Sequence, residues 1–418
     1  MEKSKMKKTE EVDVLVIGAG PSGTVAAAAA HQRGLKVKIV EKQRFPRFVI
    51  GESLLPKCME HFEETGLLDH LKAQNYQVKR GARFVRGDKL CWFDFSEQYT
   101  KGWTWTWQVP RGHFDKVLAD AVVDRGVELD YETTVTDIQM HGTSSITTVE
   151  KKDGSQERIM ARFLIDASGY GRVIPRLFGL EKDSGMPPRR AIFAHYEDKK
   201  RPGGEDGEKI TFVIHRKDIW VWVIPFSDGI TSIGFVGNPD FFSQFDQDDA
   251  SLQIRNMIAD VPYIRERFAE AEMAVEAKKI SAYAVSAEQL YGPGYVITGN
   301  SSEFIDPVFS SGVTFATESG LLAAKLVARE LDGDYVDWEK EYVEHMSQGV
   351  DTFRTYVKSW YDGTLQDIFF FSHRDSNREI KRQICSVLAG YVWDMSNPFV
   401  SHRRERALKS ISQLIKMY

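Results

Sequence analysis

The stretch Val12-Asp13-Val14-Leu15-Val16-Ile17-Gly18-Ala19-Gly20-Pro21-Ser22-Gly23 decides how this chain is read. Its first half is an aliphatic, β-branched run with one polar interruption, the pattern of a strand buried on both faces. Its second half has the spacing Gly18-x-Gly20-x-x-Gly23 and leads into Thr24–Gln32, where the consecutive alanines Ala26 to Ala30 favour a helix. Gly34 closes that helix, and Leu35–Val40 reads as a second strand ending at Glu41. Strand, glycine turn, helix and strand in this order form a βαβ unit. Gly18 allows the tight turn, Gly20 lets a pyrophosphate approach the backbone, and Gly23 lets helix and strand pack closely. Pro21 and Ser22 stand where a helix N-terminus offers unpaired N–H groups to phosphates. Glu41, with Lys42 beside it, is placed to accept hydrogen bonds from ribose hydroxyls. These residues predict a dinucleotide site; the competing reading is a purely structural glycine turn.

Outward from that unit, Cys58 to Leu71 reads as a helix, and Arg83 to Phe95 and Trp103 to Val109 as alternating strands of a sheet wet on one side. Phe114 to Arg125 reads as a helix, and Val127 to Glu132 and Thr133 to Met140 as strands. Lys152-Asp153-Gly154 is a hairpin signal. Phe163 to Gly169 repeats the motif of a buried strand running into a glycine turn, strands dominate from Ala191 to Val236, and Gly312 to Leu331 is helical. The nucleotide-binding segment is thus interrupted by sheet and resumed twice, so the fold class expected is α/β with an inserted antiparallel sheet. Residues 1–11 read as a tail and 333–418 as a C-terminal helical region.

With 418 residues, 42% hydrophobic and 28% charged, the chain is too long for one ordinary domain and is neither disordered nor fibrous. A net charge of −5 gives it no general attraction for nucleic acid. The three cysteines, Cys58, Cys91 and Cys385, form neither a disulfide framework nor a metal-ligand spacing. No apolar run reaches the roughly 20 residues needed to cross a bilayer, and the charged start has no secretory pattern. The expectation is a soluble, cytoplasmic protein.

Further strings carry a family resemblance: Glu41 to Pro56, with Arg47, Glu52 and Ser53; Gln108 to Asp115, with Arg111; Asp166-Ala-Ser-Gly169; and Gly299-Asn300 to Asp306-Pro307. In this order they resemble FAD-containing aromatic hydroxylases, which implies a GR2-type, Rossmann-like FAD domain. The resemblance puts Asn300 and Asp306 near the pyrophosphate and ribityl chain, with Arg47 and Arg111 supplying charge; the group usually carries Asp where Asn300 stands. Trp220-Val-Trp222-Val-Ile224-Pro225 matches the WxWxIP motif of flavin-dependent halogenases, and Phe304 to Gly312 matches their FxxPxxSxG motif. Phe45 to Pro56 resembles the branch acting on phenols and pyrroles.

The halogenase resemblance implies that reduced FAD and oxygen convert halide to hypohalous acid, that Trp220, Trp222 and Pro225 wall off the flavin from an organic substrate, and that halide sits on backbone N–H groups at Ser311 and Gly312. It also implies a lysine between flavin and substrate. Lys79, ahead of Gly81, fits that place, against the plain reading of a solvated lysine beside Arg80. The implied substrate is an electron-rich aromatic, free or tethered to a carrier protein, and an external flavin reductase is the implied partner, since no second GxGxxG is present. An FAD monooxygenase or a reductase of the geranylgeranyl-reductase type on the same scaffold is the alternative. The corresponding domains are 12–80 with 108–175 and 285–332 for FAD, and 81–107 with 176–284 for the substrate sheet. His113, His195 and His215 have no partner spacing and read as ordinary residues.

Overall fold

The computed structural model describes residues 9–372, 377–415 and 417. The opening unit forms as read: β1 (Glu10–Ile17), α1 (Pro21–His31) and β2 (Val37–Val40). β1 lies between two parallel neighbours, pairing Val14 with Val37 on one side and with Phe163 on the other. Val14, Leu15 and Val16 are therefore wholly buried, which explains the unbroken apolar run. Pro21 stands at the start of α1, where its missing N–H costs nothing. The small Ala26–Ala30 face and Gly320 let the helix Gly312–Leu331 pack so closely that a Cβ on Gly320 would lie 2.4 Å from the carbonyl oxygen of Ser22. The parallel sheet continues through Tyr295–Ile297 on one flank and Glu128–Asp130 on the other.

A second sheet of seven strands joins Gly81–Arg86 and Lys89–Asp94 to the 190–237 strands and to Met273–Ser281. It is not wholly antiparallel, because Thr211–Arg216 runs parallel to Gly81–Arg86. Nor is it wet on one side. Helices within 239–268, which the alternation did not reveal, cover one face with Ile254, Met257 and Phe268, and the C-terminal helices cover the other with Phe353, Trp360 and Phe369. Arg83, a polar position of the alternation, is buried because its Nε donates to Thr211 Oγ1 at 2.9 Å.

Two further segments differ from expectation. The 58–71 helix breaks at Gly66, whose φ of +64° is left-handed, giving Lys57–Glu64 and Leu68–Lys72. Of Trp103–Val109 only Thr106–Gln108 is a strand, and it pairs with Gln77–Lys79 rather than with the large sheet. Its three tryptophans stack edge to face, at 5.4 and 5.3 Å, on the core of the nucleotide-binding sheet. The aromatics of the C-terminal region mostly pack: Phe353, Tyr356, Trp360 and Phe369 are at most 1% exposed.

One buried cluster pins the far side of the large sheet. Burial alone would raise the Asp198 carboxyl, but Arg267, Thr231 and Arg201 hold it below the usual carboxylate range. Arg267 Nε donates at 2.8 Å and Thr231 Oγ1 at 2.5 Å. This stability is present above the unfolded carboxylate range and lost as pH falls through the lower folded value. Asp198→Asn is expected to cost about 3 kcal/mol in urea unfolding at neutral pH, because it leaves the Arg267 guanidinium without its carboxylate.

Candidate functional site

Where the C-terminal ends of β1 and β2 meet the large sheet, the chain encloses a cavity of about 320 Å³. One end is the glycine turn. A Cβ on Gly23 would lie 1.9 Å from the Gly18 carbonyl oxygen, so this position admits only glycine, and Gly20 is open toward Arg47. Pro21 and Ser22 line the cavity at the first turn of α1, and the Ser22 hydroxyl donates to Thr298 Oγ1 at 2.8 Å. Glu41 Oε2 accepts from the Ala19 N–H at 3.0 Å and Oε1 from the Gln43 N–H at 2.9 Å. Each oxygen keeps a lone pair, and Glu41 and Lys42 both line the cavity, so the carboxylate can still accept ribose hydroxyls.

The two arginines divide their duties. Arg111 is spent on the protein: Nε and Nη2 donate to Asp115 at 2.8 and 3.0 Å, and Nη1 to the carbonyls of Ile50 and Gly51. Arg47 gives Nη1 to Asp115 at 3.0 Å while its Nη2 reaches toward Gly20. Asp115, fully buried, therefore aims Arg47; the Arg111-to-Asp115 spacing of four on one helix was the available signal for it. Asp166 stands behind the lining, accepting from the N–H groups of Ser168 and Ile174 and so shaping the Ala167–Gly171 turn that borders the cavity with Gly169. Asn300 lines the cavity beside that turn.

Asp306 does not meet its expected place. It accepts from Tyr283 Oη at 3.2 Å and Tyr361 Oη at 3.0 Å, and borders a second cavity, of about 400 Å³, with Arg189 and Lys358. Burial pushes its carboxyl up to about 6. Its Oδ1 caps the Val308 N–H at 2.9 Å, which orients the turn carrying Pro307 into the first cavity.

The other end of the first cavity is apolar. Phe212, Trp220, Trp222 and Ile224 form one wall; Pro307, Ser310 and Gly312 form the other, at the start of the Gly312–Leu331 helix, with Ser311 preceding it. Both indole N–H groups are satisfied away from it, Trp220 by Tyr361 Oη at 3.1 Å and Trp222 by Ser232 Oγ at 3.0 Å. Pro225 is buried and pairs with Thr231 at the end of the strand. Trp222 lies on Gly234 of the adjacent strand, where a Cβ would sit 2.1 Å from the ring. Gly234→Val is therefore expected to displace the indole, changing the near-ultraviolet circular dichroism and costing about 1–3 kcal/mol in urea unfolding. Phosphate donors at one end and a flat apolar slot at the other fit FAD.

Lys79 is not solvated. It is 2% exposed, with Nζ donating to Ser53 Oγ at 2.8 Å and to the Leu54 carbonyl at 2.7 Å. Ser53 lines the cavity, so the amine stands one hydrogen bond behind the wall. Burial lowers the amine to about 7. Glu52, next in the same wall, receives His195 Nε2 on its Oε1 at 2.6 Å. That partnership spans 143 positions and left no mark in the sequence. His113 meets Tyr76 and His215 meets Asp260.

Comparison with known proteins agrees with this geometry. The tryptophan halogenase family model matches residues 13–101 and 93–400. A 1H-pyrrole-2-carbonyl-peptidyl-carrier-protein brominase of Pseudoalteromonas luteoviolacea is 27% identical over 404 residues, 93% of this chain and 94% of the brominase. A crystal structure of a flavoprotein/dehydrogenase from Cytophaga hutchinsonii is 56% identical, with a TM-score of 0.95 over 98% of this chain and 99% of that one. The flavin-dependent brominase Bmp2 shares the fold, with a TM-score of 0.83 at 23% identity over 98% of this chain and 100% of its own. Among the described residues no helix is long and apolar enough to cross a membrane.

Proposed function

The chain belongs to the tryptophan halogenase family, as an FAD-dependent oxidoreductase, and from that premise we propose that it halogenates a phenol or pyrrole, with Lys79 carrying the halogen to the ring. The observation behind this reading is the environment of Lys79: a buried amine with no carboxylate paired to it among the described residues, one hydrogen bond behind the wall of the flavin cavity.

The chemistry supplied by bound reduced FAD is the oxidation of halide at the expense of oxygen, giving hypohalous acid. The glycine turn, Arg47 and Glu41 would hold the pyrophosphate and ribose. Trp220, Trp222 and Pro307 would hold the ring and keep an organic substrate from it. The N–H groups at Ser311 and Gly312 begin a 20-residue helix, where an anion such as halide is favoured. Lys79 then acts as a neutral amine. Its two N–H bonds are directed to Ser53 Oγ and the Leu54 carbonyl, which leaves the lone pair free for the halogen. The amine takes the halogen from hypohalous acid with release of water, and the aromatic ring takes it from nitrogen, returning a proton to the amine.

Carrier tethering comes with this reading on the strength of the carrier-protein brominase, and an external flavin reductase because the sequence has no second Gly-x-Gly-x-x-Gly. The division into an FAD unit, a substrate sheet and C-terminal helices is part of it. The test is incubation with FAD, a flavin reductase, nicotinamide reductant, oxygen and bromide against phenol, free pyrrole-2-carboxylate and pyrrolyl carrier protein. A brominated product by mass spectrometry is expected, with the carrier-bound pyrrole preferred over the free acid. Flavin turnover without bromination of any of the three would contradict it.

A further inference from the structure

Glu52 is the unusual member of the cavity wall. It is 2% exposed, and among the described residues no donor reaches its Oε2, while Oε1 is held by His195 at 2.6 Å. A buried carboxylate oxygen left without a donor is costly, more so if it carries charge, and such an orphan on a residue lining a ligand cavity calls for a functional explanation. His195 lies on Arg190–Glu197, and the pairing of that strand with Met273–Ser281 shifts register on both sides of His195. Such irregularities re-aim side chains and gather near functional sites. The imidazole is flanked by the rings of Phe48 and Phe226, and 10% of its side chain remains exposed. Glu52 thus borders the cavity with one buried oxygen left unpaired, and through the other it reaches a ring whose edge touches solvent.

The charged groups bearing on the pair are placed for other work. Arg111 reaches the Ile50 and Gly51 carbonyls beside Glu52, Lys79 is held by Ser53, and Lys278 sits 3.8 Å from the ring centroid of Phe48. The strand neighbours opposite His195, Ser232 and Val275, carry no charge.

We propose that Glu52 and His195 form one proton-accepting pair serving the flavin cavity. Two electrons and one proton delivered to bound FAD, by a hydride donor or a chemical reductant, leave negative charge in the cavity. A carboxylate facing that charge is disfavoured, so the pair takes up one further proton, entering from solvent at His195. His195 is a positioning residue that acts through Glu52, and Glu52 is the group that meets the cofactor. The proposal rests on FAD binding and is independent of halogenation.

The experiment is anaerobic reduction of the FAD-loaded protein by dithionite, in the absence of halide and aromatic, with potential and proton uptake measured at several pH values between about 7.5 and 9. The native protein is expected to take up two protons per two electrons, and His195→Gln and Glu52→Gln one. Glu52→Gln is also expected to raise the flavin midpoint potential, because the native carboxylate must be neutralised by a proton on reduction and the amide need not be. Should Glu52→Gln fail to retain FAD, His195→Gln, which leaves the carboxylate in place, decides alone. Equal proton counts in the native protein and in His195→Gln would overturn the pair and leave halogenation standing. Failure of the native protein to hold FAD would instead overturn the reading on which both depend.

Discussion

Lys79→Met is expected to lower halogenation by at least about 100-fold while FAD stays bound, because it removes the only group asked to accept the halogen and leaves the cofactor cradle intact. Product formation and bound-flavin absorbance, measured on the same preparation, check both halves. In the native protein, activity should rise as pH increases through about 7, where the buried amine loses its proton. The same burial has a consequence for stability. Lys79 is lowered from 10.5 to about 7 on folding, so between those values the unfolded chain binds a proton that the folded chain does not. Stability therefore increases with pH across that window, and below it the full cost of the buried amine is present. Lys79→Met removes that cost, and it should gain stability relative to the native chain as pH is lowered from about 10 to about 7. Urea titrations at the two ends measure it.

Gly23→Ala should abolish FAD binding and destabilise the fold together, whereas Gly20→Val should abolish binding with little loss of stability. A Cβ at position 23 would meet the rigid Gly18 carbonyl at 1.9 Å, so α1 must move off the turn that holds β1 in place. At position 20 the nearest atom to a Cβ is Arg47 Nη2 at 3.6 Å, an ordinary contact, and the valine side chain enters the space reserved for the pyrophosphate. Thermal unfolding and flavin titration of the two variants separate the glycine that serves packing from the one that serves the ligand.

The nucleotide-binding unit was legible because its signals are local: the apolar run of β1, the spacing of three glycines and an acidic strand end lie within 30 residues. The tryptophan wall was legible as a short string. Long-range pairing was not. Glu52 and His195 meet only because Arg190–Glu197 joins the large sheet. Asp306 turned away from the flavin cavity because two tyrosine hydroxyls, on Tyr283 and Tyr361, meet its carboxyl on the other side. The Trp103–Trp107 alternation was misassigned for a related reason. Period two reports an extended chain with one buried face, but not which sheet supplies the partner, and here the partner is the strand carrying Lys79.

The most direct measurement compares bromine and oxygen in the product. Supply the FAD-loaded protein with reductant, bromide, isotopically heavy oxygen gas and the preferred phenol or pyrrole, and examine the product by mass spectrometry. A wall of Trp220 and Trp222 between flavin and substrate predicts bromine on the ring, no heavy oxygen, and no product when bromide is omitted. A ring bearing heavy oxygen, formed at the same rate without bromide, would show that substrate reaches the flavin and would contradict halogenation.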